Sequence, residues 1–351
     1  MPKSRRDGDR SRRVLAAALL LSAVTAAPAY AADAWTAQPA WDGPTMSAGN
    51  AKPTLGDLNG DGLLDLMVGD KNGVVHAYVN TGSASAPVWT ANTAWDVNTG
   101  GTYAAPRLGD IDGDGKLDLM VGGGSNMRAY RNTGTTSAPV WTRTTAWDLT
   151  GLLSSKRYVP SLADLDNDGL IDMVVGQLDG SLTAYRNTGS PGSPVWTVQP
   201  AWSPSPLFDS SRYSSPVMAK LDAGGTYDML YGDQLGTVFA LQNIGTATSP
   251  QWNAIGEWFV ADPNSSADDY ASPAVGDLNG DGQPDVLYGD VSGTVTAYKN
   301  NGLPPPGPGT GPAQLPPDLT TAHERFDGFA CSGAWQPAAS GPNSSYSRDC
   351  G

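Results

Sequence analysis

Apolar residues in this chain come in short runs, and clusters of Gly, Asn, Pro and Asp cut between them. Residues 103–148 show the rhythm. "YAAPRLGDI" (Tyr103–Ile111), "KLDLMVGG" (Lys116–Gly123), "MRAYRNTG" (Met127–Gly134) and "PVWTRTTAWD" (Pro139–Asp148) each have the length and the apolar and aromatic content of a strand, with turn residues between them. The 43 glycines and 28 prolines among 351 residues agree with many turns and short strands rather than long helices.

The same pattern returns five times. "GDLNGDGLLDLMVGD" from Gly56 recurs from Gly109, Ala163, Ala219 and Gly276, at intervals of 53, 54, 56 and 57 residues. A four-strand unit of roughly 50 residues in tandem is the signature of a β-propeller blade. The fifth unit stops at Gly302 without its Trp-bearing segment, and the missing piece, "AWTAQPAWD", stands at Ala34–Asp42. An N-terminal strand completing the last blade would close the ring and leave no sheet edge unmatched. The expected fold is all-β: a five-bladed propeller over residues 32–302, closed by an N-terminal strand.

The two ends differ from this body. Residues 1–31 have a basic start, an apolar run and a small-residue site ending at Ala31, which reads as a secretory signal peptide; "SRRVL" loosely resembles a twin-arginine signal. Residues 303–317 hold seven prolines, an extended linker, and 318–351 form a short tail. Its Cys331 and Cys350 are the chain's two cysteines, and in an exported protein they are expected to pair. Residues 1–31 hold six Lys/Arg and two Asp, so the mature chain has 15 basic and 33 acidic residues, a net charge of −18. That surface repels phosphate backbones and disfavours nucleic acid as a partner. It suits cation binding and solubility outside the cell.

The acidic residues have a pattern of their own. In the first unit Asp57, Asn59, Asp61 and Asp65 stand at positions 1, 3, 5 and 9, with Gly62 at position 6 and the carbonyl of Leu63 at position 7. The matching sets are Asp110, Asp112, Asp114, Lys116 and Asp118; Asp164, Asp166, Asp168, Leu170 and Asp172; and Asp277, Asn279, Asp281, Gln283 and Asp285. Lys116, Leu170 and Gln283 would contribute only their carbonyls. Oxygen at alternate positions around a tight Gly turn converges on a hard cation, and Ca2+ would relieve the repulsion. An EF-hand is excluded, because position 12 holds Val68, Val121, Val175 or Tyr288 instead of Glu. In the fourth unit Lys220 and Gly224 replace two ligands, leaving Asp222 and Asp228. The Lys220 ammonium is expected to stand in for the ion there. About four ions follow for the whole chain.

These repeats resemble the FG-GAP/VCBS family, the integrin-α-like calcium propellers, over residues 34–302, through the "D-x-[DN]-x-D-G-x-x-D" loop. The resemblance implies calcium in the four complete loops. Familiar members often have seven blades, so five is a departure. Their roles span adhesion, sugar binding and appendages of polysaccharide-active enzymes.

Ten of the eleven tryptophans form pairs six residues apart: Trp35/Trp41, Trp89/Trp95, Trp141/Trp147, Trp196/Trp202 and Trp252/Trp258. They fit two roles, wedges packed between blades or faces for sugars. The second member of each pair (Trp41, Trp95, Trp147, Trp202, Trp258) is the candidate ligand face. His76 reads as a surface residue, and no nucleophile elbow, metalloprotease helix or phosphate loop is present. The expected function is a secreted, non-enzymatic, calcium-binding module for a carbohydrate polymer or a cell-surface protein. The alternatives are the non-catalytic part of an extracellular enzyme and a polysaccharide-active propeller.

Overall fold

The computed structural model describes residues 34–302, apart from Asn126, 153–156, 205–212, Ala223, 256–257, Phe259 and 262–268, together with the paired dipeptides Gln336–Pro337 and Tyr346–Ser347. The segment read as a signal peptide, the linker and both cysteines lie outside the described residues.

Five antiparallel sheets are arranged as blades. Blade one contains β2 (Lys52–Gly56), β3 (Asp65–Gly69), β4 (Val74–Asn80) and β5 (Trp89–Ala91), with the two-residue β6 (Val97–Asn98) beside β4. Blade two contains β7 (Ala105–Gly109), β8 (Asp118–Gly122), β9 (Met127–Asn132) and β10 (Trp141–Arg143). Blade three contains β11 (Val159–Ala163), β12 (Asp172–Gly176), β13 (Leu182–Asn187) and β14 (Trp196–Val198). Blade four contains β15 (Ser215–Ala219), β16 (Asp228–Gly232), β17 (Thr237–Asn243) and β18 (Trp252–Ala254), with β19 (Val260–Ala261) beside β17. Blade five contains β20 (Ser272–Gly276), β21 (Asp285–Gly289) and β22 (Val295–Asn300), and its outer strand is β1 (Trp35–Ala37) from the N-terminus. Trp35 pairs with Asn300 and Ala37 with Tyr298, so the ring closes as the repeat count requires.

The outer strands are shorter than the sequence pattern suggests. Each ends after three residues, and in the first four Trp segments along the chain a 3-10 turn follows: Pro39–Trp41, Thr93–Trp95, Thr145–Trp147 and Pro200–Trp202. The residue after the turn then binds back to the neighbouring strand. Asp42, Asp96 and Asp148 accept the N–H of Ala297, Ala77 and Ala129 at 2.8–3.0 Å, and the Ser203 hydroxyl accepts that of Ala184. The turn swings the second Trp inward. Trp41, Trp95, Trp147, Trp202 and Trp258 are all buried, at 1–8% exposure. The candidate ligand faces named from the sequence are therefore core wedges. Of the first members, Trp89, Trp141, Trp196 and Trp252 stay half-buried, whereas Trp35 is buried.

The Trp pairs fasten blade to blade. The Trp89 indole Nε1–H donates to the Trp41 carbonyl, Trp141 to Trp95, Trp196 to Trp147, Trp252 to Trp202, and Trp35 to Trp258, all at 2.9–3.0 Å. The last bond closes the circle. Each wedge between blades is apolar: Leu58, Met67, Trp95, Leu119 and Tyr130 fill the one between blades one and two.

At the centre the inner strands β2, β7, β11, β15 and β20 lie side by side around the axis. Before each stands a non-glycine residue in the left-handed region: Asn50, Tyr103, Arg157, Tyr213 and Tyr270, with φ of 47–61°. This conformation lets two successive N–H groups reach the preceding blade; Tyr103 and Ala104 donate to Lys71 and Asp70, and Tyr213 and Ser214 to Leu178 and Gln177. Backbones pass so closely here that a Cβ on Gly122 would lie 2.1 Å from the Tyr158 carbonyl, which only glycine avoids. Side chains plug the axis. Arg107, 4% exposed, donates to the carbonyls of Pro53, Pro106, Pro216 and Pro273, which belong to four different blades. Lys52 is buried beside it and donates to the Tyr213 hydroxyl.

Two outcomes follow from closure. Removing residues up to Asp42 should expose the edge of β22 and the wedge under Trp258, giving a protein that aggregates in size-exclusion chromatography. Arg107→Met orphans buried carbonyls of blades one, four and five at once. At about 1–3 kcal/mol for each unsatisfied group, less the relief of removing an unpaired buried charge, urea denaturation should show a loss of about 2–4 kcal/mol.

Candidate functional site

The four complete acidic loops connect the inner strand of a blade to the next strand, and all five inner-strand ends place these loops on one face of the ring. Their shape comes from the first Asp. Asp57 accepts the N–H groups of Gly60 and Gly62 at 2.7 and 2.9 Å, and Asp277 those of Gly280 and Gly282. Asp110 and Asp164 bind the N–H of Gly115 and Gly169, both at 2.9 Å. The position-6 glycines have φ of 83–86°. Position 5 then accepts the N–H of position 7: Asp61 accepts that of Leu63, and Asp281 that of Gln283. In blade two one carboxylate oxygen each from Asp110, Asp112 and Asp114 lie within 4.8 Å of one another, and in blade three the same holds for Asp164, Asp166 and Asp172. All-oxygen donors at this separation, on a preformed turn, fit a hard divalent cation such as Ca2+.

Position 9 has a second task that the motif alone does not reveal. Asp65, Asp118, Asp172, Asp228 and Asp285 are all fully buried. One oxygen of each accepts the N–H of position 2 (Leu58, Ile111, Leu165, Leu221, Leu278) and the other accepts that of a strand Asn (Asn80, Asn132, Asn187, Asn243, Asn300). Burial, reinforced by neighbouring carboxylates, pushes Asp118 and Asp172 up to about 7 and Asp228 to about 6. The fourth unit keeps this Asp although Lys220 and Gly224 have replaced two of its ligands. Pinning the loop to the strand is therefore separable from metal binding.

Counter-charges track the third ligand. Where position 3 is Asp, an Arg reaches in from the third strand. The Arg131 Nε lies 2.5 Å from Asp112 and the Arg186 Nε 2.7 Å from Asp166, and each guanidinium also meets the position-5 carboxylate. Where position 3 is Asn, the equivalent residue is Val79, or Lys299, which pairs with Asp281 at 3.3 Å. This co-variation between units was available in the sequence and marks Arg131 and Arg186 as members of the sites. The fourth unit corrects one expectation. Lys220 is exposed, with its ammonium over the Tyr227 ring, and it is Gln242, at the Arg131 position, that donates to Asp222 at 2.6 Å. A neutral amide replaces the guanidinium because the loop has lost two ligands.

The outer edge holds a second feature. A cavity of about 370 Å³ opens between blades one and two, lined by Asp96, Asn98, Tyr130, Pro139, Val140 and Trp141 among others. Trp141 and Tyr130 give it aromatic walls, and Asp96 and Asn98 give it polar ones. His76, one-third exposed, lies between Asp70 and Asp96 at 3.4 and 3.6 Å.

Asp228→Ala should orphan two buried N–H groups and cost about 2–4 kcal/mol in urea denaturation, the same with calcium as with chelator. Asp112→Asn should behave oppositely, with little effect in chelator and a lowered melting temperature in calcium. Equal calcium sensitivity in both variants would contradict this separation.

The geometry agrees with comparisons to known proteins. Residues 57–121 and 112–175 match the FG-GAP-like repeat. No curated protein matches the sequence. Among solved structures, a chain in a Photorhabdus luminescens Tc holotoxin pore is similar at 15% identity with a TM-score of 0.37; the match covers 76% of this chain and spans 14% of that one. Residues 57–175 thus carry FG-GAP-like repeats, and the five blades of one pattern make the chain a β-propeller.

Proposed function

We propose that this protein is exported and works outside the cell as a calcium-stabilised, non-catalytic recognition module for a carbohydrate polymer. The observation that carries the reading is the groove between blades one and two, where the half-buried Trp141 stands over the buried Tyr130 and beside Asp96 and Asn98. A flat aromatic face beside hydrogen-bonding groups is the chemistry that grips a sugar ring: the apolar face stacks and the hydroxyls pair. Trp89, Trp196 and Trp252 repeat the half-buried position around the ring. Several weak sites on one rigid scaffold become avid when they meet a polymer.

Calcium acts here as a structural ion. Asp57, Asn59, Asp61 and Asp65 would hold it in blade one, and their counterparts in blades two, three and five would hold three more; the metal supplies positive charge that draws the carboxylates together. The loops then fix the strand ends that carry the blades. At free calcium ten times the dissociation constant, each site adds about 1.4 kcal/mol of stability. Calorimetry is expected to count four ions, and chelation to lower the melting temperature; no uptake would refute the assignment.

Recognition is tested by retention on insoluble polysaccharides. Trp141→Ala, combined with the same change at Trp89 and Trp196, should lower retention at least tenfold while the protein stays folded by circular dichroism. The first Trp also bonds the neighbouring blade, so a Phe series runs in parallel: Phe keeps a stacking face but loses the N–H donor. Retention that survives both series, or is lost only with the fold, would place recognition elsewhere.

A further inference from the structure

The cations of this acidic protein fall into two sets. Lys116, Arg131, Arg143, Arg186 and Lys299 each pair with a carboxylate. Lys52, Lys71, Arg107, Arg128, Arg157 and Lys220 have no carboxylate partner among the described residues, and of these Lys71 and Lys220 are exposed. Lys52 and Arg107 are buried in the axis. Arg128 and Arg157 lie on the face opposite the acidic loops, because β8 runs from its loop at Asp118 to Gly122 at the far face, and β9 starts back from there.

On that far face a cavity of about 190 Å³ opens between the link from blade one to blade two and the β8–β9 hairpin. Gly100 and Gly101 form one wall, Gly122 to Gly124 the other, and Arg128 is the charged residue of its lining. The hairpin that lines it is particular to blade two. The hairpins of blades one, four and five follow the strand glycine with Asp70, Asp233 or Asp290, each of which accepts an N–H of its own turn. Blade two has Gly123 there, and Tyr130 follows Gly122 by eight residues where the equivalent step elsewhere is nine. The shortened hairpin has lost its carboxylate, and its guanidinium, Arg128, stands at the strand position that His76 holds in blade one.

A second cation borders the same basin. The Arg157 N–H donates to the carbonyl of Gly124, and its guanidinium lies 3.9 Å from the Tyr103 ring centroid and 5.1 Å from that of Tyr270. Tyr103 directly follows Thr102, which lines the cavity. Arg157 and Tyr103 are two of the five left-handed residues that precede the inner strands. Burial first, and then the positive charges of Arg157 and Arg107, hold the Lys52 ammonium down at about 7.

We propose that this glycine-walled cavity is an oxyanion subsite that takes the carboxylate or sulfate group of a ligand, with Arg128 as its paired cation, Arg157 as the second positive charge and Tyr103 as a flanking aromatic face. Planar guanidinium forks match such oxyanions, and glycine walls let a compact anion approach the backbone. The site lies apart from the outer-edge groove and does not depend on it.

Nuclear magnetic resonance titration of the mature, calcium-loaded protein tests this at constant ionic strength, with sodium glucuronate, sodium sulfate and uncharged glucose as probes. Saturable shifts of the Gly100, Gly101 and Gly123–Gly124 amides with either oxyanion, and none with glucose, are expected. A sulfate response alone would identify an inorganic or sulfate-ester ligand, and a glucuronate response an acidic sugar. Arg128→Gln and Arg157→Gln should each weaken binding at least tenfold, whereas Arg143→Gln should leave it unchanged. Gly101→Ala keeps every charge and places a methyl only 3.7 Å from the Arg128 guanidinium, in ordinary contact, so the fold survives while the cavity shrinks; it should weaken binding severalfold. Absence of saturation with both oxyanions, an equal response to glucose, or binding indifferent to Arg128→Gln and Gly101→Ala would overturn the proposal.

Discussion

One bond, repeated five times, governs this molecule: the indole N–H of a Trp on an outer strand to the carbonyl of a Trp in the neighbouring blade. A propeller closes only if every blade meets the next at the same angle, because an error at one interface accumulates around the ring. A directional bond at the rim and a pair of backbone bonds at the axis fix each interface at two radii. The apolar wedge between them supplies most of the burial, but burial is non-directional and would tolerate sliding. The two polar anchors turn a sticky interface into a defined one.

Much of this was legible in the chain. The repeat interval, the four strands per unit and the displaced first strand gave ring and closure, since each rests on local pattern and on the need to satisfy sheet edges. The Trp segment misled for a definite reason. A spacing of six puts two residues on one face only in a regular strand, and a 3-10 turn after the third residue breaks that premise. Trp141 consequently keeps a solvent-facing side whereas Trp147 has none. Lys220 misled differently: its position in the motif matched a ligand, yet its side chain leaves the loop and Gln242, twenty residues from Asp222, does the pairing. The axial residues were out of reach, because their partners lie up to 166 positions away and nothing in one sequence ties Arg107 to Pro273.

The acidic loops show how one motif can divide its labour. Positions 1 and 5 have changed in the fourth unit, to Lys220 and Gly224. Position 9 faces inward and has not, because two backbone N–H groups depend on it in every blade. Metal binding could therefore be lost from a blade without losing the blade. This explains how a ring of like units tolerates one that has given up its ligands.

Arg107 carries a lesson about symmetry. Five near-copies of one unit surround the axis, yet the axis has room for a single guanidinium, and that one side chain serves the carbonyls of four blades. Thr54, Ser161, Val217 and Ala274 occupy the corresponding places in the other copies. A ring made of five identical units would have to put either five arginines there, which would repel and collide, or none, which would leave the inward carbonyls unanswered. The chain's ancestry by duplication and its present stability thus pull in opposite directions at this one point, and the unequal copies are what allow the centre to be solid.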